Sequence, residues 1–225
     1  MKIQCYTVVS QTHRNLLERE MLPSFPQNEK MQMNIQYIPQ LCPTGSFYEK
    51  GWHDTMHKKV DCFIEGINRL QDNELFMFID ADIVFFKDFY DDILKELEDN
   101  DIIFQNDIGG GCNTGFFVAR KNENVLLLIN AVKKYLNNFD SEQVAMTEYC
   151  FNNKKYQELQ NLKWKMLPVE KYWTYGVYRK VWDGHENFDI PNDIIMVHGN
   201  WCLYKHKNLL LDTVKNKVNT YLKSA

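Results

Sequence analysis

Hydrophobic and polar positions recur along the chain with two different periods, which together predict an α/β fold. Short apolar or β-branched runs predict buried strands, and segments with apolar residues at helical spacing predict the helices between them. The clearest helical pattern covers residues 52–70, where Met56, Val60, Phe63 and Ile67 share one face. Strands are expected at residues 3–10, 33–38, 75–86, 101–105, 116–119, 163–167 and within 194–201. Helices are expected at residues 15–21, 52–70, 88–97, 123–136 and 205–221, and from Asp140 or Ser141 onward.

The apolar run at residues 75–86 is interrupted only by Asp80 and Asp82. Burying an unpaired carboxylate costs several kcal/mol, roughly, so both must be paired, solvated or bound to a metal. In an open α/β sheet, ligands bind at the carboxyl ends of strands. Hard carboxylate oxygens there favour Mg²⁺ or Mn²⁺, which proteins usually bind together with phosphate. A solvated acidic turn after a strand is the alternative, because Asp-x-Asp alone is a weak motif.

A second informative segment, residues 107–120, contains three consecutive glycines followed by Asn113 and Thr114. Glycines permit unusual backbone angles and the close approach of a ligand. We therefore favour a ligand-facing role for Asn113 and Thr114, just before the strand at Phe116, over a plain flexible turn. Further on, Glu142 and Gln143 fall in the first turn of a predicted helix. Helix capping and the dipole explain Glu142, but they do not explain Gln143.

A third segment, residues 194–201, is an apolar strand that ends in a polar cluster containing His198. A lone histidine at a strand end is usually structural, but His198, like Asp80 and Asp82, is a potential metal ligand at the end of an apolar strand. Imidazole is an acceptable ligand for Mn²⁺ and a poor one for Mg²⁺. Lysines near helix starts oppose the helix dipole. Lys58 or Lys59, and Lys205, could therefore reach a phosphate, or they could simply be solvated.

Composition and charge argue against several classes of protein. A net charge of −4 and a pI near 5.9 argue against broad nucleic-acid binding but allow a phosphate pocket. Six scattered cysteines without a Cys-x-x-Cys pair argue against a zinc site and favour reduced thiols. The chain shows no signal-peptide pattern and no stretch of transmembrane length, so a cytoplasmic location is expected. The Gly-rich dinucleotide fingerprint and the P-loop are both missing, which argues against Rossmann dehydrogenases and P-loop NTPases.

Four segments, taken in order, resemble the nucleotide-diphospho-sugar transferase family, the metal-dependent glycosyltransferases of GT-A fold related to glycogenin-like enzymes. They are Asp80-Ala81-Asp82 after an apolar strand, residues 112–116, residues 141–143 at a helix start, and residues 197–201. The resemblance implies one α/β domain over residues 1–225, with a mixed, mostly parallel central sheet flanked by helices. Residues of about 1–106 would bind the nucleotide, and residues of about 107–225 would bind the acceptor.

The resemblance also implies roles for individual residues. Asp80, Asp82 and His198 would hold Mn²⁺ or Mg²⁺, with Asp82 the surer ligand and Asp80 shared with the ribose. Asn113, Glu142 and Gln143 would lie at the reacting sugar. The family often has Asp where this chain has Glu142, so the carboxylate here is one methylene longer. The residues implied to contact the nucleotide sugar are Thr7, Val8, Val9, Lys59, Asp80, Ala81, Asp82, Thr114, Gly199, Asn200 and Lys205.

The implied reaction moves a sugar from a nucleotide-diphosphate donor, with UDP expected, to a glycan or another hydroxyl acceptor. Glycogenin-like enzymes retain the anomeric configuration, so retention is expected. The divalent cation and Lys205 would stabilise the diphosphate leaving group, and Gln143 would stabilise the oxocarbenium-like sugar. No residue is clearly a general base, which is consistent with the leaving phosphate taking the acceptor proton.

Three alternatives remain at this stage. A haloacid-dehalogenase-like Mg²⁺-dependent phosphatase also begins from Asp-x-Asp, but near its N-terminus and with Thr where this chain has Val84. A sugar-phosphate nucleotidyltransferase has a similar sheet, but its Gly-rich N-terminal loop with Arg is missing here. The third alternative is a non-catalytic relative that binds sugar nucleotides, which the intact Asp-x-Asp and His198 disfavour.

Overall fold

The computed structural model describes residues 1–71, 73–107 and 110–224, with side chains as far as residue 221. Its strands, in chain order, are β1 (Lys2–Val9), β2 (Met31–Tyr37), β3 (Glu74–Ile79), β4 (Ile83–Phe85), β5 (Ile102–Asn106), β6 (Cys112–Arg120), β7 (Trp164–Met166), β8 (Tyr172–Thr174) and β9 (Met196–His198). Six of them form the central sheet in the order β2-β1-β3-β6-β5-β7, and β4, β9 and β8 form a second, smaller sheet.

The central sheet is mixed and mostly parallel, as the sequence predicts. β1 pairs in parallel with β2 and β3, and β5 pairs in parallel with β7. Only β6, within this described sheet, runs against its neighbours β3 and β5. Because helices cover both faces, β3 is buried on both sides, which explains its continuous apolar sequence.

Helices fill the connections between these strands. After β1 the chain forms a 3₁₀ turn (Gln11–His13), α1 (Arg14–Leu16), a π turn (Leu17–Met21) and α2 (Leu22–Ser24). The longer helices are α3 (Trp52–Arg69), α4 (Tyr90–Leu97), α5 (Glu123–Tyr135), α6 (Glu142–Phe151) and α7 (Lys207–Ser224). Ser141 caps α6, because its Oγ accepts a hydrogen bond from the Val144 N–H. Within the described ranges, no helix is both long and apolar enough to cross a bilayer.

Apolar side chains form a core layer on each face of the central sheet. On the face covered by α3 and α5, Phe63 packs edge-on against Phe78 and Phe117. On the opposite face, Phe116 packs against Phe89 at the start of α4. A third cluster joins the small sheet to α7 and fixes the direction in which α7 leaves the sheet.

The apolar run at residues 75–86 forms two strands rather than the single strand that the sequence predicts. β3 ends at Ile79, and the chain turns through Asp80 and Asp82 before β4 begins in the smaller sheet. β4 pairs antiparallel with β9, so that Ile83 lies opposite His198. The Gly199 N–H donates a 2.8 Å hydrogen bond to the Asp82 carbonyl oxygen. This sheet change places the aspartates and the histidine side by side.

A further difference from the sequence-based expectations concerns residues near the site. β6 begins at Cys112 rather than Phe116, so Asn113 and Thr114 lie on the strand instead of in the turn before it. In the glycine-rich segment, Ile108 and Gly109 lie outside the described residues, and Gly110 has a left-handed φ of +83°.

Candidate active site

A cavity of about 440 Å³ opens beside the turn at Asp80–Asp82. Its size lies within the range of roughly 300–1,000 Å³ that is usual for small-molecule sites. The wall contains residues that follow β1, one face of α3, the start of β6, the first turn of α6 and the segment after β9. This arrangement places the polar residues of the three informative segments around one space.

Asp80, Asp82 and His198 form a cluster suited to a divalent cation. Each offers one ligand atom, and these atoms lie within 4.8 Å of one another. His198 Nε2 lies 3.3 Å from Asp82 Oδ1 and 3.7 Å from Asp80 Oδ2. Two carboxylate oxygens and one imidazole nitrogen fit Mn²⁺ better than Mg²⁺.

Gly115 leaves the space in which this cluster sits. A Cβ at this position would lie 2.3 Å from His198 Cε1 and 2.4 Å from Asp80 Oδ2. The Gly115 carbonyl also accepts a 2.7 Å hydrogen bond from the Asp80 N–H, which fixes the start of the turn. The requirement here is for space, because any side chain would displace two of the three candidate ligands.

Lys207, at the start of α7, neutralises Asp82. Its Nζ donates to Asp82 Oδ2 and, at 3.0 Å, to the Gly199 carbonyl oxygen, and both charged side chains are buried. Burial alone would raise the pKa of Asp82, but the Lys207 ammonium outweighs burial and holds that pKa well below its usual range. Asp82 is therefore ionised near neutral pH, as a metal ligand must be.

Lys59, on α3, links Asp80 to the first turn of α6. Its Nζ lies 3.1 Å from Asp80 Oδ1 and 3.2 Å from Glu142 Oε1. Burial lowers the pKa of Lys59, but the two carboxylates outweigh burial and raise it, so the ammonium stays charged. Thr114 Oγ1 donates a 2.8 Å hydrogen bond to the same Glu142 oxygen. The other carboxylate oxygen, Glu142 Oε2, is buried without a hydrogen-bond partner among the described residues.

Asp107 organises a second polar group in the cavity wall. Its two carboxylate oxygens accept hydrogen bonds from Gln143 Nε2 and from Trp201 Nε1. The contact with Asp107 fixes the orientation of the Gln143 amide, because the amide nitrogen must face the carboxylate. The neighbouring Asn113 Oδ1 accepts from the Gly115 N–H at 2.8 Å, which fixes that side chain next to the metal cluster.

The structure brings most of the residues expected from the sequence into this one cavity. Those that line it are Val8, Lys59, Asp80, Ala81, Asp82, Asn113, Thr114, Glu142, Gln143, His198 and Asn200. Gly199 does not line the cavity, but its backbone bonds both Asp82 and Lys207. Thr7 and Val9 are buried away from it, because side chains alternate along β1 and Val8 is the one that faces it.

Lys205 is not brought to the cavity, and this corrects the sequence-based placement. It lies exposed in a 3₁₀ turn (Tyr204–His206), whereas Lys207 opens α7 and reaches Asp82. The tight turn between β9 and α7 sets which lysine points inward. Spacing from His198 alone does not reveal that turn.

Sequence reasoning missed several residues of the site. Gln105 and Asp107 stand at the end of a predicted strand, so their polarity after an apolar run was a usable signal. His13 lines the cavity from the segment after β1. Burial and the nearby charge of Lys207 lower the pKa of His13, which favours the neutral ring. An aromatic group formed by Phe47, Tyr48 and Trp52 lines another part of the wall, with Tyr48 and Trp52 ring centroids 4.9 Å apart.

Comparison with known proteins identifies the family. Residues 33–211 match the nucleotide-diphospho-sugar transferase family, over well more than half of the chain. The chain belongs to this family. It is a glycosyltransferase, as the order of its motifs implies, and the phosphatase and nucleotidyltransferase alternatives are set aside. None of the curated protein sequences matches the chain.

Solved structures of glycosyltransferases share the fold of this family member. A glycosyltransferase involved in glycosylation of the major capsid of PBCV-1 is 12% identical, with a TM-score of 0.64 over 95% of this chain and 100% of that one. Mouse xyloside xylosyltransferase 1 is 8% identical, with a TM-score of 0.52 over 89% of this chain and 98% of that one. The galactosyltransferase LgtC, solved with donor and acceptor sugar analogues, is 8% identical, with a TM-score of 0.51 over 87% and 86% of the two chains. The fold is therefore that of the GT-A glycosyltransferases.

Proposed function

We propose that this glycosyltransferase moves a sugar from a UDP-sugar to a hydroxyl group of a glycan or similar acceptor, with a divalent cation and with retention of configuration. The observation that carries the proposal is one cavity that holds Asp80, Asp82 and His198 together with two buried lysines, Lys59 and Lys207. Burying several charged side chains together costs desolvation free energy unless a ligand or an opposite charge compensates for it.

The donor set fits Mn²⁺, and Mg²⁺ less well, as the cation. Asp80, Asp82 and His198 would hold it, and Gly115 provides the room that the three side chains need. When bound, the cation would supply Lewis acidity toward the negative charge that develops on the departing diphosphate. Lys207 and Lys59 would add fixed positive charge on the same side of the donor.

The balance of charge in the cavity explains why donor binding would need a cation. Lys59 and Lys207 supply two positive charges, against four negative charges from Asp80, Asp82, Asp107 and Glu142. The sum of −2 repels a diphosphate. A divalent cation would bring this sum to zero and so remove the net repulsion of the donor.

Three polar residues are proposed to bind the donor sugar. Glu142 Oε1 is held by Thr114 and Lys59, so the unpaired Oε2 is available to accept a hydrogen bond from a sugar hydroxyl. Gln143 is oriented through its nitrogen by Asp107. Its carbonyl oxygen would then supply negative dipole charge to the oxocarbenium-like carbon in the transition state. Asn113 would help to place the sugar beside the cluster.

The acceptor proton is proposed to pass to the leaving phosphate. Four carboxylates line the cavity, and each pairs with a cation or accepts a side-chain hydrogen bond: Asp80 and Glu142 from Lys59, Asp82 from Lys207, and Asp107 from Gln143 and Trp201. Glu142 Oε2, which has no partner among the described residues, is proposed to accept a hydrogen bond from a sugar hydroxyl and not to act as the base. Transfer of the proton to a phosphate oxygen on the same face of the sugar matches retention.

Residues of about 1–106 are proposed to form the nucleotide side of the cavity and residues of about 107–225 the acceptor side. Val8, Ser10 and Lys59 line it from the first part, and Asn113 and Gln143 line it from the second. The nucleotide would therefore lie against the end of β1.

A donor panel tests the proposal. Thermal unfolding would be followed with UDP-, GDP-, ADP- and CMP-sugars, each with and without Mn²⁺, and the linkage of any product would be determined by NMR. We expect stabilisation by UDP-sugars only when Mn²⁺ is present, and a product with the anomeric configuration of its donor. An equal rise in Tm with and without Mn²⁺ would contradict the metal role, and a product of inverted anomeric configuration would contradict retention.

A further inference from the structure

We propose that Gln105 is a positioning residue that selects the tautomer of His198 and so directs the Nε2 lone pair of the histidine toward Asp80 and Asp82. The inference rests on the proposed metal-dependent function and goes beyond it by giving a role to a residue outside the ligand set. Gln105 lies at the end of β5 and is fully buried, with an exposed fraction of 0%.

The amide of Gln105 is fixed in one orientation. Its Nε2 donates to the backbone carbonyl oxygens of Tyr172 and Trp173, each at 3.2 Å. Carbonyl oxygens only accept hydrogen bonds, so the NH₂ group must face them and Oε1 must face away. The flipped amide would set an acceptor oxygen against both carbonyls and lose two hydrogen bonds, each worth about 0.5–1.5 kcal/mol.

The fixed amide decides which nitrogen of His198 carries a proton. His198 Nδ1 lies 2.8 Å from Gln105 Oε1, an atom that can only accept. Nδ1 must therefore be the donor, and in the neutral ring Nε2 then has a free lone pair. Nε2 is the nitrogen that lies 3.3 Å from Asp82 Oδ1. In the other tautomer, an Nε2 proton would occupy the position at which a cation binds.

The backbone around Gln105 supports the same role. The pairing of β5 with β6 shifts register between Phe104 and Gln105, and such a bulge re-aims the side chain that follows it. The two carbonyls that hold the amide belong to β8, and β8 pairs with β9 so that Thr174 lies opposite His198. Gln105 thus ties the central sheet to the small sheet that carries the histidine.

The first test observes the tautomer directly in the metal-free protein. The ¹⁵N shifts of His198 would be assigned at a pH at which the ring is neutral. We expect the single proton on Nδ1 and none on Nε2 in the wild-type protein. An unprotonated Nδ1 in the wild-type protein would overturn the inference without any appeal to activity.

The second test is a double-mutant cycle read as Mn²⁺ affinity by electron paramagnetic resonance, with the metal alone as the probe. Gln105→Leu should weaken Mn²⁺ binding about 10–100-fold, the usual cost of losing such a partner. In the His198→Ala background the same substitution should have almost no effect, because its influence passes through the histidine. An equal loss in both backgrounds would show that Gln105 acts only on the general fold.

Gln105→Glu provides the conservative variant, because a carboxyl group keeps an acceptor oxygen for Nδ1. It should recover most of the Mn²⁺ affinity, and this variant carries the test if Gln105→Leu does not fold. Failure of the proposed function has a different signature. The wild-type protein would then bind no Mn²⁺ and cleave no donor, while the Nδ1 assignment would still stand or fall on the NMR result.

Discussion

Gly115 lies against two of the three candidate metal ligands, so we expect a single added methyl group to disable the site. In Gly115→Ala, the new Cβ would lie 2.3 Å from His198 Cε1, 2.4 Å from Asp80 Oδ2 and 3.0 Å from Asn113 Oδ1. Optimal contacts between carbon atoms are near 3.5–4.0 Å, so His198 and Asp80 must each move by about 1 Å. The glycine is not in the left-handed backbone region, so the effect is one of space alone.

The size of the effect follows from that displacement. A misplacement of about 1 Å in a catalytic group costs about 100-fold in rate, and forcing a methyl group into a packed region costs about 1–3 kcal/mol of stability. Gly115→Ala should therefore fold with a lowered Tm, bind Mn²⁺ weakly and release nucleoside diphosphate at least about 100-fold more slowly than the wild-type protein. The assays are thermal unfolding, Mn²⁺ titration and release of nucleoside diphosphate from the preferred donor.

Gly66→Ala is the matched control. Gly66 lies on α3, and a Cβ there would lie 2.4 Å from Phe76 Cε2 and 3.2 Å from Tyr6 Cε2. The overpacking is comparable, but it falls in the core about two helical turns beyond Lys59. Gly66→Ala should lose stability and keep its Mn²⁺ affinity and turnover. Wild-type turnover in Gly115→Ala, or an equal loss of turnover in Gly66→Ala, would refute the reasoning.

Three further substitutions test individual roles. Asp82→Ala should abolish Mn²⁺-dependent donor cleavage while far-UV circular dichroism stays native, and retained turnover would contradict the assignment. Lys207→Met leaves the Asp82 charge buried without its lysine partner, so it should lower the free energy of unfolding by about 3–5 kcal/mol. Added Mn²⁺ should restore part of this loss. The control Lys205→Met should change neither Tm nor kcat/KM. Glu142→Asp gives the side-chain length that is usual in the family, and it should change the ratio of kcat/KM for two donor sugars by roughly tenfold or more. An unchanged ratio would show that Glu142 does not determine donor specificity.

Much of the fold can be predicted from local sequence pattern, because the spacing of apolar residues shows whether one face or both faces of a helix or strand are buried. The helical spacing of apolar residues predicts α3 to within one residue of its observed end. The Asp-x-Asp after an apolar strand and the histidine after another predict the two halves of the metal cluster. The two halves meet because the chain changes sheet after β3, and the antiparallel pairing of β4 with β9 then sets His198 opposite Ile83, directly after Asp82.

The features that the sequence did not predict depend on tertiary geometry. The run at residues 75–86 is apolar on both sides of Asp80 and Asp82, so only the pairing of β4 with β9 shows that it forms two strands in different sheets. The choice between Lys205 and Lys207 depends on a turn of three residues. Gln105 acquires its role from a β-bulge and from two carbonyls more than sixty positions away along the chain. The spacing of apolar residues along the chain predicts none of these three features.

The most direct test of the central claim is the release of nucleoside diphosphate from a UDP-sugar by wild-type protein, with and without Mn²⁺, beside Asp82→Asn and the exposed control Asp91→Asn. We expect slow, Mn²⁺-dependent release by the wild-type and Asp91→Asn proteins and none by Asp82→Asn. Release that is equal with and without Mn²⁺, or that survives in Asp82→Asn, would contradict the central claim.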